Sequence, residues 1–549
     1  TCLKTGRESS LMAHTKIVFR APALEKILSG ATQLADAIRV TLGPKSKSVL
    51  IQNKWGNPTV CNDGVTIAKR IDLLDPEENL GAQMLRQAAE RTGDAVGDGT
   101  STSTVLAHAI LADGIRNVVA GASAIDLKRG LDRGLLLVVQ SLVAQSRPVS
   151  TPKEKAQVAT LSAHNDAVIG QLVADALEKV GVEGVVSVEE SKTTETVVEV
   201  MEGMRFDRGY VSPYFVTDAE KMQVELDDAY LLLCDHKIGA LKDLLPVLAL
   251  VPKSAQPLVL IAADIEGEAL TTLVVNQIRG VLRAVAIKAP GFGDRRKEML
   301  QDMAVLTGAT VVSNELGVPL EQVQLSQLGR AHRVVVQKDS TALIGGAGTR
   351  EAIEARLQQI RAQVDSTTSD YDREKLQERL ARLSGGVAVI RVGAPSEAEM
   401  KARKDALDDA ISATRAAIAE GIVPGGGLAL LKAVPLIAAE EARHEGDTRT
   451  GLQILRRALE APARLIAENS AVDAGVVVAR MLAEPANIGF DASANNYVDM
   501  FEAGIIDPTK VVRIALENAV SVASILLLTE ATMTDIPEKE SAAQPPFPE

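Results

Sequence analysis

The sequence predicts a multidomain protein of the α and α/β classes, in which an α/β block is inserted into a mostly helical domain. With 549 residues, the chain is long enough for roughly three or four domain-sized units. Residues 17–146 and 397–529 place apolar side chains at helical spacing. Between them, residues 184–392 alternate strand-like runs with helical patterns, as βαβ units require. Because both ends share one character, we expect a discontinuous helical domain.

The first helical region contains two segments at helical spacing and a short β interlude. Apolar residues in Leu24–Leu28 and Leu34–Ile38 keep the spacing of an α-helix. Ser48–Ile51 and Thr59–Val60 are strand-like instead. Pro148 has Ser and Thr neighbours, which is typical of a boundary. The first segment of the helical domain is therefore expected to end near this proline.

The middle block contains short strands and a charged helical pair. Glu351–Leu383 is rich in charge at helical spacing, which favours an exposed helical hairpin, and Gly385–Ile390 is strand-like again. Gly345–Thr349 imitates a dinucleotide-binding loop, but it lacks the third glycine of that motif and Thr349 suits a helix cap. We therefore expect no dinucleotide site here. The earlier strand-like runs are Val185–Val188, Leu258–Ala262, Ala284–Ile287, Val311–Val312 and Val334–Val336.

Composition excludes several classes of protein. Hydrophobic residues make up 46% and charged residues 24%, an ordinary globular balance, and the net charge of −13 argues against nucleic acid as the main partner. Aromatic residues contribute only 2%, so the cores must consist of aliphatic side chains. The three cysteines, Cys2, Cys61 and Cys234, form neither a disulfide framework nor a zinc motif, which fits a reducing compartment.

Neither end of the chain carries a membrane or secretion signal by pattern. No apolar run approaches the ~18 residues of a membrane span, and Thr1–Leu11 has no hydrophobic core of a signal peptide. Met12 is the expected natural start. Residues 538–549 are charged and rich in proline, so we expect a disordered tail. A cytoplasmic location without membrane partners is the expectation.

Residues Gly97–Thr104 form the most informative local pattern. Two glycines flank Asp98, a run of hydroxyl side chains follows, and an apolar helical pattern begins at Val105. Free backbone N–H groups and the helix dipole favour an anion at such a helix start, and an aspartate can hold Mg2+. One interpretation is a phosphate and Mg2+ site. The alternative is an ordinary helix cap with a Ser/Thr-rich first turn.

Other segments are ambiguous when each is taken alone. Thr41–Lys45 contains a Gly-Pro pair after a helical pattern, and such a pair usually does no more than end a helix. Val423–Gly427 ends in three glycines, so either a ligand approaches the backbone closely or the segment is a flexible connector. Asp63 and Asp409 are possible carboxylates for phosphate chemistry, although an aspartate on a helix is usually a solvated charge. The sequence has no GxxxxGK[ST] motif, so a P-loop nucleotidase is unsupported.

An aromatic cluster at Tyr210–Phe215 is unusual in a chain with so few aromatic residues. It is either a local core around a turn or an exposed patch that binds another chain.

Taken together, these segments resemble one family, the group I chaperonins of the GroEL type found in bacteria and organelles. The resemblance runs from about Lys16 to Pro537. Its most specific segments are Thr41–Lys45, Asp63–Val65, Gly97–Thr100, Glu202–Met204, Phe206–Tyr210, Ala289–Arg296, Ser369–Arg379 and Asp507–Lys510.

The resemblance implies a chaperonin fold of three domains. A mostly helical equatorial ATPase domain would be built from both chain ends, a small intermediate domain would act as a hinge, and the α/β apical domain would bind substrate. The implied segments are equatorial 13–144 and 420–537, intermediate 145–201 and 388–419, apical 202–387, and tails 1–12 and 538–549. Gly203, Gly386, Pro148 and Gly421 would be hinge points.

The resemblance also implies an activity and partners. The chain would be an ATP-dependent chaperone that binds unfolded or partly folded proteins and encloses them in a ring cavity. Its oligomer would be two stacked seven-membered rings, closed by a small co-chaperonin lid of the GroES type. A paralogue with a binding or scaffold role is the alternative.

By the same resemblance, several residues acquire roles at a nucleotide site. Asp98 would bind Mg2+, K+ would sit nearby, and Asp409 would activate the attacking water with help from Asp63. Asp409 would be delivered when the hinge segment closes. The phosphates would contact Thr41, Leu42, Gly43, Pro44, Asp98, Gly99, Thr100, Ser101 and Thr102. The nucleoside would contact Gly426, Asp491, Ala492, Ser493 and, through its ribose, Asp507.

The implied polypeptide-binding groove lies in the apical domain. Leu270, Val274 and Val275 fall on one helical stripe, and an exposed apolar stripe suits chains that expose their own apolar residues. The implied groove residues are Tyr210, Tyr214, Phe215, Leu245, Leu248, Leu270, Val274, Val275 and Asn276.

Three positions depart from the pattern of the family. Asn62 stands where lysine is usual near the nucleotide, Ser46 replaces a glycine, and Asp491 replaces an asparagine. The tail also lacks the Gly-Gly-Met repeats of many bacterial members. Asp98, Asp409 and Asp507 are all present, so the sequence predicts an active ATPase.

Overall fold

The computed structural model describes residues 15–52, 58–181, 185–191, 193–219, 221–251, 256–313, 317–367 and 369–535. Met12 and the tails 1–12 and 538–549 lie outside these residues. The chain divides into two compact units. The first takes both ends, up to residue 173 and from residue 405, and the second contains residues 174–404.

Eighteen helices occur among the described residues. In chain order they are α1 (Arg20–Arg39), α2 (Gly64–Arg70), α3 (Pro76–Val96), α4 (Thr100–Val119), α5 (Ala124–Gln145), α6 (Pro152–Ser162), α7 (Ala167–Val180), α8 (Leu241–Leu250), α9 (Gly267–Ile278), α10 (Gly293–Thr307), α11 (Arg350–Ser366), α12 (Asp370–Ser384), α13 (Glu397–Glu420), α14 (Leu428–Glu441), α15 (Gly446–Ala458), α16 (Ala461–Asn469), α17 (Ala474–Ala483) and α18 (Thr509–Leu527).

The described strands number seventeen. They are β1 (Thr15–Phe19), β2 (Val49–Ile51), β3 (Thr59–Cys61), β4 (Val185–Glu190), β5 (Val197–Met201), β6 (Gly203–Phe206), β7 (Val224–Ile238), β8 (Leu258–Ile265), β9 (Ala284–Lys288), β10 (Gly329–Val336), β11 (Thr341–Gly346), β12 (Val387–Val392), β13 (Ile422–Pro424), β14 (Ile488–Asp491), β15 (Asn496–Asp499), β16 (Ile506–Pro508) and β17 (Ala531–Asp535).

The first unit is a helical bundle whose core is almost entirely aliphatic. The side chains of α1, α3, α4, α5, α15 and α18 bury leucine, isoleucine, valine and alanine against one another. Strands β1 and β17 form an antiparallel pair in which Thr15 is opposite Asp535. The bundle therefore fixes the ends of α1, α3 and α4 relative to one another.

Helices α1 and α3 touch through their backbones. A Cβ atom at Gly30 would lie 1.7 Å from the carbonyl oxygen of Glu78, and one at Gly81 would lie 2.1 Å from that of Ile27. Since real Cβ atoms do not approach that closely, only glycine permits this contact at either position. The loop after α1 is thereby held close to the end of α3.

The second unit contains two sheets. The larger has the strand order β6-β11-β10-β7-β8-β9, antiparallel from β6 to β7 and parallel from β7 to β9. The smaller has the order β4-β12-β5, with β12 parallel to β4 and antiparallel to β5. The predicted mixture of helical and α/β regions is confirmed.

Two details of the sequence prediction differ from the structure. Val311–Val312 was expected as a strand, but it forms only an isolated bridge between Val312 and Cys234. The longest strand, β7, carries several charged residues that interrupt its apolar pattern, so the sequence did not reveal it. Thr349, in contrast, caps α11 by accepting a hydrogen bond from the N–H of Ala352, as expected.

The predicted helical hairpin is present as α11 and α12, and a buried ionic contact attaches it to α10. Asp302 of α10 is buried. Its two carboxylate oxygens accept hydrogen bonds from Nε of Arg356 at 2.7 Å and from Nε of Arg379 at 2.8 Å. Paired in this way, the buried carboxylate is compensated, and the hairpin is docked onto α10.

We predict that Gly81→Ala destabilises the chain by about 2–4 kcal/mol, since the new methyl group would force α1 and α3 apart. The measurement is the midpoint of unfolding of the nucleotide-free protein in denaturant. Gly93→Ala on the same helix is the matched control, because a Cβ there makes only ordinary contacts with Thr100 and Val65. Equal midpoints for the two variants would contradict the prediction.

Candidate functional site

The Gly97–Gly99 loop joins α3 to α4 in a conformation that requires glycine. The φ angles of Gly97 and Gly99 are 70° and 78°, in the left-handed region. Their neighbours are equally restrictive, since added Cβ atoms would lie 2.3 Å from Cβ of Ser412 and 2.6 Å from Cγ1 of Val511. The loop is therefore held tightly between α13 and α18, with Asp98 at its tip.

The loop leaves the start of α4 open to an anion. Gly99 occupies the N-cap position, and no side chain there bonds to the first turn. The first turn of α4 is rich in Ser and Thr, as the alternative interpretation expects, so the helix start by itself does not decide between the two interpretations. The first N–H groups of a helix have no partner within it, and here they coincide with the positive end of a 20-residue helix dipole.

The hydroxyl run after Gly99 serves two purposes. Ser103 and Thr104 are buried, and both donate hydrogen bonds to the carbonyl of Thr100. Their role is structural. Ser101 instead lies with its Oγ 3.1 Å from Oγ1 of Thr41. The loop that follows α1 therefore meets the start of α4, as the sequence analysis expected of two phosphate-binding segments.

Asp63 is held beside the same helix start. Its carboxylate caps α2 by accepting hydrogen bonds from the N–H groups of Val65 at 3.2 Å and Thr66 at 2.8 Å. The next residue, Gly64, packs so closely that a Cβ there would lie 2.5 Å from Oγ of Ser101. A fixed carboxylate is thus placed near the open end of α4.

Asp409 of α13 experiences the same group of charges. Burial is the largest cause that raises the pKa of the Asp409 carboxyl well above its usual range. Four negative neighbours add to the rise, and they are Asp98, Asp63, Asp408 and Asp405. An apolar contact of Val96, Ala416 and Val511 fixes α13 beside the loop. The structure therefore brings Asp409 and Asp98 close enough for mutual repulsion.

Asp507 approaches from the short sheet of β13 and β16. It is opposite Val423 in this antiparallel pair, next to the glycine-rich turn that starts α14. Burial, and then the negative charge of Asp98, raise the pKa of Asp507 to about 7. Like Asp409, this carboxyl is destabilised in its ionised form when no cation is bound.

The segment Asp491–Ser493 forms the tip of the β14–β15 hairpin. Asp491 accepts hydrogen bonds from the N–H groups of Ser493 at 2.8 Å and Ala494 at 3.3 Å. Lys45 donates to Oδ1 of Asn495 at 3.0 Å, which ties this tip to the loop after α1. Because an asparagine oxygen could accept the same two bonds, the departure at Asp491 preserves the turn.

Asn62 and Ser46, the other departures, lie in the described part of this unit. Asn62 is exposed and Ser46 is partly buried. The N–H of Ser46 donates to the carbonyl of Gly43 at 3.2 Å, so the turn after α1 closes without a glycine at this position.

Magnesium fits this arrangement in only one way. Within the described ranges, no three His, Cys, Asp or Glu side chains converge on a point where they could hold a metal ion. Mg2+ is commonly bound by one or two carboxylates together with substrate phosphates and waters. Asp98, at the tip of its loop, matches that pattern.

One residue at the site was not anticipated from the sequence. Ser162, the last residue of α6, donates a hydrogen bond from Oγ to Oδ2 of Asp98 at 2.6 Å. The other oxygen of Asp98 accepts the N–H of Gly99. No motif marks Ser162, because only the folded chain brings α6 to this loop.

The second unit carries the predicted polypeptide-binding residues. Tyr214, Leu245 and Val275 are exposed by 67%, 54% and 37%. Tyr210, Leu248, Leu270 and Val274 pack against the core and keep part of their surface in solvent. Asn276 donates to the carbonyl of Thr272 within its own helix.

Phe215 differs from the other residues of this set. Its side chain is fully buried in the core of the second unit. The expectation of an exposed ring is therefore wrong for this residue. The aromatic cluster combines both interpretations, since Phe215 anchors the turn while the neighbouring Tyr214 is exposed.

No helix in the described ranges is both long and apolar enough to cross a membrane.

Comparison with known proteins identifies the family. A model of the TCP-1/cpn60 chaperonin family matches residues 34–537. Chaperonin GroEL 5 of Bradyrhizobium diazoefficiens is 71% identical over 534 residues, which cover 97% of this chain and 99% of that protein. With both a family model and a relative matching nearly the whole length, the chain belongs to the TCP-1/cpn60 chaperonin family.

Proposed function

We propose that the residues around Asp98 form the ATPase centre of this chaperonin. Membership of the family makes the chain an ATP-dependent chaperone and an ATPase that uses magnesium. The observation that carries the assignment of residues is that Asp98, in the loop before α4, lies close enough to Asp409 and Asp507 for its charge to raise the pKa of both carboxyls. Carboxyls whose pKa is raised by burial and by one another's charge favour a site that receives a cation and a polyphosphate.

The phosphate side of the site is made by backbone and hydroxyl groups. The start of α4, with Gly99 to Thr102, offers N–H donors to the phosphates, and Thr41, the first residue of Thr41–Pro44, lies against Ser101. Asp98 would hold Mg2+, which would neutralise charge on the phosphates. K+ is proposed close to this loop, where oxygen atoms of Thr41 and Ser101 lie together.

Asp409 is the proposed base for the attacking water, and Asp63 assists it. Its raised pKa makes the carboxylate a better proton acceptor than a solvated aspartate, as general base catalysis requires. The carboxylate of Asp63 caps α2 and is fixed by two hydrogen bonds, so it acts as a stationary negative charge that orients the water.

The nucleoside is proposed to lie between the glycine turn of α14 and the tip of the β14–β15 hairpin. A Cβ at Gly426 would lie 3.1 Å from Cε of Met500, so the turn and hairpin are close neighbours. Asp491, Ala492 and Ser493 line the hairpin side. Asp507 is placed to accept hydrogen bonds from ribose hydroxyl groups, which would compensate its burial.

Client binding is proposed for the apolar surface of the second unit. Unfolded chains share exposed apolar side chains, and burial of such surface is the common driving force for their capture. Tyr214, Leu245 and Val275 supply exposed apolar area. Leu270 and Val274 lie on α9 together with Val275, and Asn276 of that helix supplies a polar edge. A lid protein of the GroES type is proposed to compete for this surface.

The larger organisation follows the family. We propose the three-domain division given above, a homo-oligomer of two stacked seven-membered rings that encloses its clients, and a cytoplasmic location. A mass measurement of the purified oligomer in solution tests the ring assignment.

Replacing Asp409 by Ala should lower ATP turnover by about 10²–10⁴-fold, because the water loses its base. Nucleotide binding should persist, since Asp98 and the α4 start remain. The measurements are steady-state phosphate release and ADP binding by calorimetry. Glu397→Ala, at the exposed start of the same helix, is the matched control and should retain turnover within about a factor of three. Unchanged turnover in Asp409→Ala would refute the assignment.

Asp507→Asn should raise the thermal midpoint of the nucleotide-free chain at pH 8 by a few degrees. The pKa of Asp507 is raised to about 7 in the folded chain, so stability is lost as the pH rises from the ordinary pKa of an aspartate to about 7, and the full loss is present at pH 8. Below the pKa that the Asp507 carboxyl has in the unfolded chain, this carboxyl is protonated in both the folded and the unfolded state. The difference between variant and wild type should therefore shrink as the pH falls from 8 towards 4.

Glu502→Gln is the control for this measurement, because Glu502 is exposed in the turn before β16. A pH-independent difference between Asp507→Asn and wild type would contradict the proposed charge repulsion.

Tyr214→Ser combined with Val275→Ser should weaken capture of a denatured client about tenfold, because apolar contact area is lost. ATP turnover without client should not change. Val197→Ser is the control, since Val197 is an exposed valine on β5, outside the proposed groove. Capture is measured by co-sedimentation of a chemically denatured enzyme. Equal capture by all variants would disprove this surface.

A further inference from the structure

Ser162 makes an unusual contact for a serine at the end of a helix. Two other helices, α11 and α12, also end in serine. Those serines, Ser366 and Ser384, donate to carbonyl groups of their own helices, which is the common arrangement. Ser162 instead reaches Oδ2 of Asp98, which is 64 positions away, at 2.6 Å.

The turn after α6 accounts for the direction of this hydroxyl. His164 and Asn165 both have left-handed φ angles, 55° and 65°, although neither is glycine. The N–H of Asn165 donates to the carbonyl of Thr160 at 2.9 Å and closes the helix end. The hydroxyl of Ser162 is therefore not needed to close the helix end and can reach Asp98 in the Gly97–Gly99 loop.

Helix α6 is also coupled to the helix that carries Asp409. Val158 of α6 is buried together with Ala413 and Ala417 of α13. Each helix of this packed pair carries one residue that acts on the carboxylate of Asp98. Ser162 attracts Asp98 through a hydrogen bond, and Asp409 repels it through like charge.

We propose that Ser162 is a positioning residue of the ATPase reaction, which holds the Asp98 carboxylate in the nucleotide-free chain and competes with Mg2+ for it. This inference rests on the proposed role of Asp98 as the Mg2+ ligand. Both oxygens of that carboxylate already accept hydrogen bonds from the protein. A short hydrogen bond to a carboxylate oxygen draws electron density from it and makes it a weaker ligand, so we expect Mg2+ and Ser162 to bind this carboxylate with opposing effects on each other.

The consequence is a link between the cation and the α6–α13 pair. Release of Ser162 frees α6, and α13 is packed against α6. The position of Asp409 therefore depends on whether the Asp98 carboxylate is held by serine or by the cation.

The experiment compares full-length oligomers of wild type, Ser162→Ala, Ser162→Thr and Ser366→Ala. Mg2+ is titrated into each protein in the presence of saturating ADP, and binding is followed by calorimetry. Steady-state ATP turnover over the same Mg2+ range gives kcat and the half-saturating Mg2+ concentration.

Ser162→Ala should lower the half-saturating Mg2+ concentration about tenfold, the size expected when one hydrogen bond to a charged group is removed. The kcat of Ser162→Ala at saturating Mg2+ should not increase by the same factor. Ser162→Thr restores the hydroxyl and should behave as wild type, and so should Ser366→Ala. An unchanged or increased half-saturating concentration in Ser162→Ala would overturn the inference, because the serine would then be neutral or would support the metal-bound carboxylate.

Asp98→Ala separates this inference from the proposed function. It should abolish Mg2+-dependent ADP binding. If that binding persists, the proposed role of Asp98 fails. If Asp98→Ala abolishes it while Ser162→Ala matches wild type, only the inference about Ser162 fails.

Discussion

Repulsion among carboxylates around Asp98 is the constraint on which the site depends. Burial and the charge of Asp98 raise the pKa of both Asp409 and Asp507. Such an arrangement costs stability in the nucleotide-free chain and can persist only because surrounding packing holds it in place. Under the proposed function, binding of a cation beside Asp98 would relieve this repulsion, because the charge that raises both pKa values would be neutralised.

The packing that opposes this repulsion comes from elements distant in the sequence. Apolar contacts of Val96, Ala416 and Val511 press α13 and α18 onto the end of α3. The glycine contacts between α1 and α3 hold the Thr41 loop on the other side. The aliphatic core of the first unit therefore offsets the cost of the site.

Much of the fold could be predicted from the sequence, because apolar periodicity is a local property. Helices α1, α3 and α18 and strands β8 to β10 follow patterns visible in a single chain. Strand β7 was missed because its charges, which face solvent or ionic partners, interrupt that pattern. Burial of Phe215 could not be read from its neighbours, since Tyr214 beside it is exposed and both are aromatic.

The site shows the same division more sharply. Asp98 could be recognised as a candidate from the glycines on either side, but nothing local distinguished Asp409 from a solvated helical aspartate. The family resemblance implied that Asp409 is the base. The folded chain adds a physical observation, because burial and the nearby charges of Asp98 and Asp63 raise the pKa of Asp409. Ser162 had neither signal. Its contact with Asp98 follows the left-handed turn at His164 and Asn165. Asparagine and histidine adopt that conformation more readily than most residues, but the residue types do not show which loop the end of α6 meets. Residues that act directly on a ligand tend to carry a chemical signature in the sequence, whereas residues that position them are visible only once the chain has folded.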